Sequence, residues 1–257
     1  MKKQLIVDGN SILNRAYYGV HANLTTADGI PTNAVYGYTS ILKKNMDSLC
    51  PDEIVCVFDM RAPTFRHLLY RGYKATRKKM AEELACQLPL AIEVSEALGC
   101  RVVTDPGYEA DDLIGSFCAS AEKKGDVQSF VLTGDRDSLQ LVSERTTVLL
   151  ARTKEETVYT PESFTEEFGV PPRRLIDVKG LMGDSSDNIP GVAGVGEKTA
   201  WKMVNTAGPL ETIYRGMDTL GVSASVTCKL SAGQQSAFFS RELADICRDI
   251  PSAKFGL

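Results

Sequence analysis

The sequence predicts an α/β fold in which helices flank a mostly parallel central sheet. Short apolar runs alternate with stretches of helical spacing through the first half of the chain, which is the pattern of right-handed βαβ units. The apolar runs are rich in β-branched residues, as expected of parallel strands buried on both faces. With 257 residues, 43% of them hydrophobic, the chain can bury a full core, as one large domain or as one domain with a small appendage.

Each predicted element has its own local signal. The apolar runs predict five strands, at residues 5–7, 54–58, 101–103, 129–133 and 147–150. A polar turn is expected after the first strand. Apolar residues at helical spacing predict helices over 33–49, 81–99 and 109–124. Gly99 and Gly125 are expected to end the last two helices as C-terminal caps.

After Thr160 the alternation gives way to short helices. They are predicted over 161–168, over 173–182, from the end of a glycine-rich stretch to about 205, and over 234–250, where the last helix would cover the core. Thr160 and Pro161 form a favourable helix start. We therefore expect an α/β domain over 1–160, with a helical segment at about 61–98, and a helical region over 161–257.

Composition argues against several classes of protein. No apolar run approaches the ~20 residues that span a bilayer, and the apolar run at the N-terminus is too short for a signal peptide. The seven cysteines include no Cys-x-x-Cys pair, and the two histidines have no spacing that suits zinc. We expect reduced thiols, a cytoplasmic location and no membrane association. The net charge of −4 gives no global positive field of the kind that attracts nucleic acid.

Acidic residues recur where the predicted strands end. Asp8 follows the first strand, Asp59 the second, and Asp135 and Asp137 the fourth. The range Gly107–Asp112 adds three more acids at the start of a helix. A single acid in such a place is commonly a turn residue or a partner of the helix dipole. Four separate sites indicate a cluster, because ligands bind at the carboxyl ends of the strands in parallel sheets.

A basic block lies between Asp59 and Glu82, where the chain carries seven positive charges and no acid. The charges are Arg61, Arg66, Arg71, Lys74, Arg77, Lys78 and Lys79, with Phe65, Tyr70 and Tyr73 interleaved. A run of charges is usually a solvated face, and that is our interpretation of Lys78 and Lys79. Basic residues mixed with aromatic ones, however, are how proteins follow a phosphate backbone and stack on bases.

The glycine-rich stretch Gly191–Gly196 lies between two predicted helices. It superficially resembles a phosphate-binding P-loop, but Glu197 separates Gly196 from Lys198, and no strand precedes it. A helix–hairpin–helix instead leaves backbone N–H groups available to a DNA phosphate, reinforced by the N-terminus of the second helix and by Lys198. The alternative is a glycine-rich turn between two packed helices.

Six motifs spread over the chain carry a family resemblance. They are Val7-Asp8-Gly9-Asn10, Phe58-Asp59, Tyr73-Lys74-Ala75-Thr76-Arg77, Gly107-Tyr108-Glu109-Ala110-Asp111-Asp112, Thr133-Gly134-Asp135-Arg136-Asp137 and Gly183-Asp184-Ser185-Ser186-Asp187-Asn188-Ile189-Pro190-Gly191. Together they resemble the 5′-nuclease family, which includes the 5′→3′ exonuclease domain of bacterial DNA polymerase I and the flap endonucleases. The resemblance runs from Leu5 to about Ile250. It implies a PIN-like core with a helical gateway and a helix–hairpin–helix at about 173–206.

The resemblance also implies roles for individual residues. The metal-binding acids would be Asp8, Asp59, Glu109, Asp111, Asp112, Asp135, Asp137, Asp184 and Asp187. Lys74 and Arg77 would be catalytic residues of the gateway, sharing one helical face and stabilising charge on the phosphate. Together with the basic block and the hairpin, it assigns DNA contacts to Arg66, Arg71, Tyr73, Gly191, Gly194, Gly196 and Lys198.

The implied activity is hydrolysis of DNA near single-strand/duplex junctions, as a 5′→3′ exonuclease or 5′-flap endonuclease of replication and repair. Two Mg²⁺ ions about 4 Å apart, replaceable by Mn²⁺, would lower the pKa of a bound water and clamp the attacking and leaving oxygens. Mg²⁺ prefers carboxylates, which accounts for the acidic residue types. The resemblance further implies K⁺ at the hairpin. The expected partners are DNA with 5′ flaps, nicks or 5′ ends and a DNA polymerase in cis or trans, and the chain is expected to be a monomer.

Two other classes of function compete with this interpretation. A phosphohydrolase of the haloacid-dehalogenase type needs a second aspartate two residues after the nucleophile, whereas residue 10 is Asn10. A non-catalytic DNA-binding module would explain the hairpin and the basic block but not nine acids at these positions. A 5′-flap substrate, incubated with Mg²⁺ and then with EDTA, separates all three.

Overall fold

The computed structural model describes residues 1–152 and 155–251, which form two compact units. The first unit comprises Met1–Thr64, Lys79–Thr160 and the described residues from Cys247. The second comprises Phe65–Lys78 and Pro161–Ile246. Residues 65–78, predicted to belong to the N-terminal domain, thus group with the C-terminal helices, and the chain returns to the first unit at Cys247. Positions 252–257 of the predicted helical region lie outside the described residues.

The first unit is built on a six-stranded sheet. Its strands are β1 (Lys2–Asp8), β2 (Glu53–Val57), β3 (Arg101–Val103), β4 (Val127–Thr133), β5 (Thr146–Ala151) and β6 (Glu156–Tyr159). They lie in the order β3-β2-β1-β4-β5-β6, with β1 to β5 parallel and β6 antiparallel to β5. The mostly parallel sheet and its five predicted strands are confirmed. The edge strand β6 was missed, because four residues with one buried side chain give no periodic signal.

Eleven α-helices lie within the described residues. They are α1 (Gly9–Gly19), α2 (Asn33–Leu49), α3 (Phe65–Leu69), α4 (Glu82–Ala85), α5 (Leu88–Ala97), α6 (Ala110–Lys124), α7 (Pro161–Phe168), α8 (Leu175–Met182), α9 (Glu197–Ala207), α10 (Leu210–Arg215) and α11 (Ala224–Ala244). The predicted helices that became α2, α6 and α7 are confirmed. Gly125 ends α6 with a left-handed φ of 76°, as its sequence position indicates. No described helix is long and apolar enough to cross a membrane.

Helix α1 stands where a polar turn was predicted after β1. Asp8 caps it, since its Oδ1 accepts a hydrogen bond from the Ser11 amide at 2.9 Å. The helix buries Ile12, Leu13 and Ala16 in the core of the first unit. Because polar residues interrupt α1, its narrow apolar stripe gives a weak periodic signal. The sequence pattern therefore did not predict a helix here. As a result, the chain turns sharply at the acidic end of β1.

The single helix predicted over 81–99 is two helices, α4 and α5. The break lies at Cys86 and Gln87, and the fully buried Gln87 side chain has a tertiary role. Its Oε1 accepts hydrogen bonds from the amides of Ala34 at 2.8 Å and Val35 at 3.1 Å, at the start of α2. A glutamine from a distant segment thus satisfies the first N–H groups of α2. Local helical spacing cannot reveal such a cap.

The second unit is helical and has a small core of its own. Tyr73, Ile189, Leu243 and Ala244 are buried in it. A 3₁₀ turn, Pro172–Arg174, leads into α8, so the helix predicted over 173–182 begins slightly late. Helix α11 was predicted over 234–250, but it begins ten residues earlier, after the Ser223 cap, and ends at Ala244. Gly233 inside the helix weakens its local helical signal.

Candidate metal centre and nucleic-acid interface

Five aspartates of the first unit gather at the ends of β1, β2 and β4 and in the first turn of α6. They are Asp8, Asp59, Asp111, Asp135 and Asp137. Burial, and then the negative charges of the other four, raise the pKa of Asp111 well above its usual value. Charges act on one another in this way only at short range, so the predicted convergence of these five acids is confirmed. Their role as metal ligands stays a prediction.

Asp8 is the most buried of these five acids. Its Oδ1 caps α1 through the Ser11 amide at 2.9 Å, and its Oδ2 accepts a hydrogen bond from the Thr133 hydroxyl at 2.8 Å. Burial, helped by the charges of Asp59 and Asp135, raises the pKa of Asp8 to about 7, although the two hydrogen bonds act to lower it. The carboxylate is therefore held in place while its charge is poorly compensated.

The neighbouring motifs hold Asp59 in place beside α6. Gly9 leaves room for the Phe58 ring, since a Cβ at residue 9 would lie 2.3 Å from Cε1 of that ring. The Asp59 amide donates to the Asn10 side chain at 2.8 Å, and Asp59 Oδ1 accepts from the Ala110 amide at 2.8 Å. One exposed carboxylate thus links the strand ends to the start of α6.

The loop after β4 orients the remaining acids of the cluster. The Asp135 amide donates to Thr133 Oγ1 at 3.0 Å, and Asp135 Oδ1 accepts from the Asp137 amide at 2.9 Å. The Ser138 hydroxyl donates to Asp111 Oδ1 at 3.2 Å. Local hydrogen bonds therefore fix the orientations of the Asp135 and Asp111 carboxylates. Without these bonds, repulsion between the negative charges would turn the side chains away from each other.

Glu109 and Asp112 form a capping box at the start of α6. The Asp112 amide donates to the Glu109 side chain, and the Glu109 amide donates to Asp112 Oδ2 at 3.1 Å. The Cys247 amide occupies the other oxygen, Asp112 Oδ1, at 2.9 Å. Asp112 is fully buried and both of its oxygens accept from backbone amides, so it has a structural role in the first unit, and its role as a metal ligand stays a prediction. Glu109 is also largely buried. It lies two residues before Asp111 in the sequence, and its role as a metal ligand stays a prediction.

The two remaining predicted ligands belong to the second unit. Asp184 pairs with the Lys179 ammonium and accepts hydrogen bonds from the amide and hydroxyl of Ser186, both at 2.7 Å. Burial alone would raise the pKa of Asp184, but the Lys179 charge and the Ser186 bonds lower it below its usual value. This carboxylate is therefore negative and already compensated by a cation of its own unit.

Asp187 gathers the predicted catalytic residues. Arg77 Nε and Nη2 donate to its Oδ1 at 3.0 and 2.5 Å, Lys74 Nζ lies 3.9 Å from its Oδ2, and the Tyr73 hydroxyl donates to Oδ2 at 3.1 Å. The helix predicted to carry Lys74 and Arg77 is a series of turns in which Lys74 adopts a left-handed φ of 54°. That prediction is corrected. The two cations nevertheless meet, because the Lys74 amide also donates to the Asp187 carbonyl at 2.9 Å.

Among the described residues, no three His, Cys, Asp or Glu side chains already close on one point as a metal site. The donors of the first unit still fit a hard divalent cation, because they are all carboxylates. Burial first, and then the charges of neighbouring aspartates, raise the pKa values of Asp8 and Asp111, and a bound cation would favour the charged form of both. The cluster is therefore a set of carboxylate oxygens in which Asp8 and Asp111 carry raised pKa values.

Three of the predicted DNA contacts are structural. Arg66 is buried, and its Nε and Nη2 donate to the carbonyls of Leu243 at 2.8 Å and Asp245 at 2.7 Å. Tyr73 is buried against His67, which leaves no open ring face for a base. Gly191 is buried as well, and a Cβ there would lie 2.3 Å from the Gly183 amide nitrogen. The sequence pattern could not distinguish these inward residues from exposed ones.

The other predicted contacts are exposed. They are Arg71, Gly194, Gly196 and Lys198. In the described part of the chain the amides of Gly194, Gly196 and Lys198 have no hydrogen-bond acceptor, as expected of a hairpin that holds a phosphate. Val192 and Val195 point inward and anchor the hairpin. The helix–hairpin–helix is thus present from α8 to α9, and its DNA contact stays a prediction.

One basic pair was not predicted from the sequence. Arg15 of α1 and Arg152 after β5 line a cleft of about 610 Å³ that also includes Ser11 and Gly134. Burial, and then the like charge of Arg152, lower the pKa of Arg15. Recognition of α1 as a helix would have placed Ser11 and Arg15 on one face. The proximity of Arg152 to Arg15 could not be predicted, because it depends on the position of β5 in the sheet.

Comparison with known proteins identifies the family. A model described as the 5′-3′ exonuclease, N-terminal resolvase-like domain, matches residues 3–169, and one described as the 5′-3′ exonuclease, C-terminal SAM fold, matches residues 170–255. The chain belongs to the 5′-3′ exonuclease family. As a member it is a nuclease.

Two curated relatives and two solved structures agree with this family. The 5′-3′ exonuclease of Bacillus subtilis is 41% identical over 257 residues, covering 98% of this chain and 85% of that one. DNA polymerase I of Mycobacterium bovis is 43% identical over 253 residues, covering 97% of this chain and 28% of the polymerase. The fold matches a zinc-bound T5 5′-exonuclease with a TM-score of 0.78 at 20% identity, covering 96% and 90% of the two chains. It matches the catalytic core of Rad2 in complex with DNA with a TM-score of 0.58 at 17% identity, covering 96% and 80%.

The relatives differ in how much of them this chain spans. It spans about a quarter of the length of DNA polymerase I, and most of the B. subtilis exonuclease. The solved structures are too distant in sequence to show more than the fold. Substrate preference, metal identity and association with a polymerase are therefore matters for proposal.

Proposed function

We propose that this nuclease hydrolyses DNA phosphodiesters near single-strand/duplex junctions, as a 5′→3′ exonuclease and a 5′-flap endonuclease that depends on Mg²⁺. The observation that carries the proposal is the cluster of five aspartates at the strand ends and the start of α6, where burial and the charges of neighbouring aspartates raise the pKa values of Asp8 and Asp111. Such an arrangement is unfavourable unless a cation binds there. The cluster lowers the stability of the fold, but its carboxylate oxygens are suitable ligands for Mg²⁺ beside a phosphate.

The acids of the first unit would hold two divalent cations, and Mn²⁺ should replace Mg²⁺. The ligands we assign are Asp8, Asp59, Glu109, Asp111, Asp112, Asp135 and Asp137, with Asp184 and Asp187 of the second unit as further ligands. When bound, divalent cations lower the pKa of a water and stabilise charge on the attacking and leaving oxygens. Carboxylates suit this task because their oxygens are the hard ligands that Mg²⁺ prefers, and a bound cation would favour the charged forms of Asp8 and Asp111.

The chain's own residues would orient the reaction. The hydroxyl of Thr133 and the amide of Ser11 fix the two oxygens of Asp8, so this carboxylate cannot rotate away from a phosphate. Lys74 and Arg77 would donate to the phosphate and stabilise the charge that develops on it. Both side chains reach the carboxylate of Asp187, which supports a common role towards a single anion.

The hairpin would hold the duplex. Its unpaired amides, at Gly194 and Gly196, and the Lys198 ammonium suit a backbone phosphate and carry no base preference. Arg71, exposed, would follow the single strand. A K⁺ ion at the hairpin carbonyls would add to the positive charge there. We infer that the chain acts as a monomer in the bacterial cytoplasm, joined to a DNA polymerase or working beside one.

A cleavage assay tests the proposal. The substrates are a 5′-flap duplex, a nicked duplex and the unpaired flap strand, each labelled at the 5′ end and incubated with Mg²⁺, with Mn²⁺ or with EDTA. We expect cuts near the junction with either cation, none with EDTA, and recovery when excess Mg²⁺ follows EDTA. Undiminished cleavage in EDTA would contradict the metal assignment. Tight binding of flap DNA without cleavage in Mg²⁺ or Mn²⁺ would instead favour a DNA-binding module.

A further inference from the structure

One face of α11 holds the hairpin Gly191–Gly196. Ser240 Oγ accepts a hydrogen bond from the Gly191 amide at 2.9 Å, and Ser236 Oγ donates to the Gly191 carbonyl at 2.6 Å. Gly233 lies so close to Val192 that a Cβ on it would be 2.7 Å from Val192 Cγ1. The three α11 residues are spaced three and four apart, so they form one helical stripe. The base of the hairpin is thus fixed by a helix from outside the motif.

Lys229 continues this stripe towards the tip of the hairpin. Its Nζ donates to the Gly194 carbonyl at 3.3 Å. Its side chain lies over the Gly194 Cα, because a Cβ on Gly194 would be 2.8 Å from Nζ and 3.1 Å from Cε. Lys229 is exposed, and no other acceptor for its ammonium occurs among the described residues. An ammonium has three donors, so two remain available to a ligand of the hairpin.

The charge of the hairpin depends on this lysine. Lys198 in the first turn of α9 is preceded by Glu197, and both side chains are exposed. Their charges offset each other, so the hairpin and this first turn carry no net positive charge of their own. Lys229 adds one positive charge beside Gly194, where it can attract a DNA phosphate.

We propose that Lys229 contacts the DNA phosphate held by the hairpin and thereby positions the duplex for cleavage, an inference that rests on the proposed function. The Gly194 carbonyl holds the ammonium over the Gly194 Cα, next to the segment that carries the amides of Gly194 and Gly196. Lys229 acts on where the duplex sits and takes no part in bond breaking. Its loss should therefore raise the KM for duplex substrates and leave the rate at saturation unchanged.

The test compares Lys229→Met with Lys229→Arg and a matched control. Methionine keeps a stem that can cover Gly194 but removes the charge, and arginine restores the charge. The control is Lys202→Met, since Lys202 of α9 is also an exposed lysine whose Nζ donates to a glycine carbonyl, that of Gly221 at 3.2 Å. Affinity for a 5′-flap duplex and for the unpaired flap strand is measured across a salt series. Thermal unfolding of each variant shows whether it folds.

We expect Lys229→Met to weaken duplex binding about tenfold at 0.1 M salt and to reduce the salt slope by about 1, as the loss of one phosphate contact does. The single-turnover rate at saturating enzyme and the affinity for the single strand should not change. Lys229→Arg should regain the slope, and Lys202→Met should match the wild type throughout. A merely structural lysine would lower the unfolding temperature without changing the salt slope.

Three outcomes would overturn the assignment, and they are distinguishable. If the wild type cuts flap DNA but Lys229→Met has the affinity and salt slope of Lys202→Met, Lys229 does not contact the phosphate and the proposed function stands. If the wild type shows no salt-dependent affinity for duplex-containing DNA, the hairpin is not a DNA contact and both proposals fail. If Lys229→Met does not fold, an unchanged salt slope in Lys229→Glu, which reverses the charge, overturns the assignment equally.

Discussion

Arg77 donates from both Nε and Nη2 to the same oxygen of Asp187, at 3.0 and 2.5 Å. The sequence predicted different tasks for these two residues, a phosphate contact for the arginine and a metal contact for the aspartate. In this structure they neutralise each other within one unit, with Lys74 as a second cation at 3.9 Å. A substrate phosphate that binds Arg77 must therefore displace Asp187, and a cation that binds Asp187 must displace Arg77. Mutation of this pair tests both roles.

Lys74→Ala and Arg77→Ala should each lower the single-turnover cleavage rate by roughly 10²-fold, the scale of losing one charge-stabilising donor. The reason is that both side chains reach a common anion. Lys78→Ala and Lys79→Ala are the matched controls, because both lysines are exposed neighbours in the same block. They should weaken binding modestly and flatten its salt dependence. The rates are measured at saturating enzyme, where binding defects vanish.

Recovery of the wild-type rate by all four variants at saturation would contradict the catalytic role. The basic block would then act only as an electrostatic attractor for DNA. Equal rate losses in Lys78→Ala and Lys74→Ala would also count against it, since the structure places only Lys74 beside Asp187.

The acid cluster gives a second prediction. Asp111→Ala or Asp135→Ala should abolish cleavage while DNA binding stays within a few-fold, because in our proposal these acids hold metal and not DNA. Asp47→Ala is a suitable control, since Asp47 is an exposed acid of the same unit that pairs with Lys43 at 3.0 Å. Cleavage is followed in Mg²⁺, and binding is measured in Ca²⁺ or EDTA. Full Mg²⁺-dependent activity in either cluster variant would refute the metal assignment.

The sequence predicted well those features that depend on neighbouring residues. The strand ends, the Gly125 cap and the five converging aspartates follow from local patterns and from the rule that parallel strands share a carboxyl edge. It failed where burial depends on distant packing. Arg66 looked like its exposed neighbour Arg71, but it donates to the Leu243 carbonyl, 177 residues away. No local pattern contains that contact.

Turn geometry was equally hard to predict. A spacing of three residues put Lys74 and Arg77 on one face only if the segment was helical, and the left-handed φ of Lys74 excludes that. The two side chains still meet, because Asp187 attracts both. The predicted association was therefore correct for an electrostatic reason, and the predicted secondary structure was wrong.

The reactivity of the Cys247 thiol tests the position of the segment that begins at Cys247, where the chain returns to the first unit. Burial raises the pKa of the Cys247 thiol to about 11, and that of Cys118 to about 12. Only the thiolate reacts, so alkylation of Cys247 should be slow at pH 8 and rise about tenfold for each pH unit up to about 11. The exposed thiols of Cys50, Cys86 and Cys228 should be modified first. Peptide mass spectrometry gives the order, and fast labelling of Cys247 at pH 8 would contradict its contact with α6.

The hairpin provides the last prediction. Gly194 has a left-handed φ of 75° and is exposed, and a Cβ there would displace the Lys229 ammonium and stand in front of the unpaired amides. Gly194→Val should therefore lower affinity for duplex-containing substrates and blur the position of the cut, with little change on short single strands.

Gly208→Val separates this effect from backbone strain. Gly208 ends α9 with a φ of 78° and has nothing within 4 Å of its missing Cβ, so valine there also meets the strain of a positive φ without blocking a phosphate. Both variants should lose roughly 1–3 kcal/mol of stability, the usual penalty for a side chain in a sparsely populated backbone conformation. Only Gly194→Val should lose duplex affinity. Equal losses of affinity in the two variants would mean that strain alone acts, and an unchanged affinity in a folded Gly194→Val would remove the hairpin from the DNA interface.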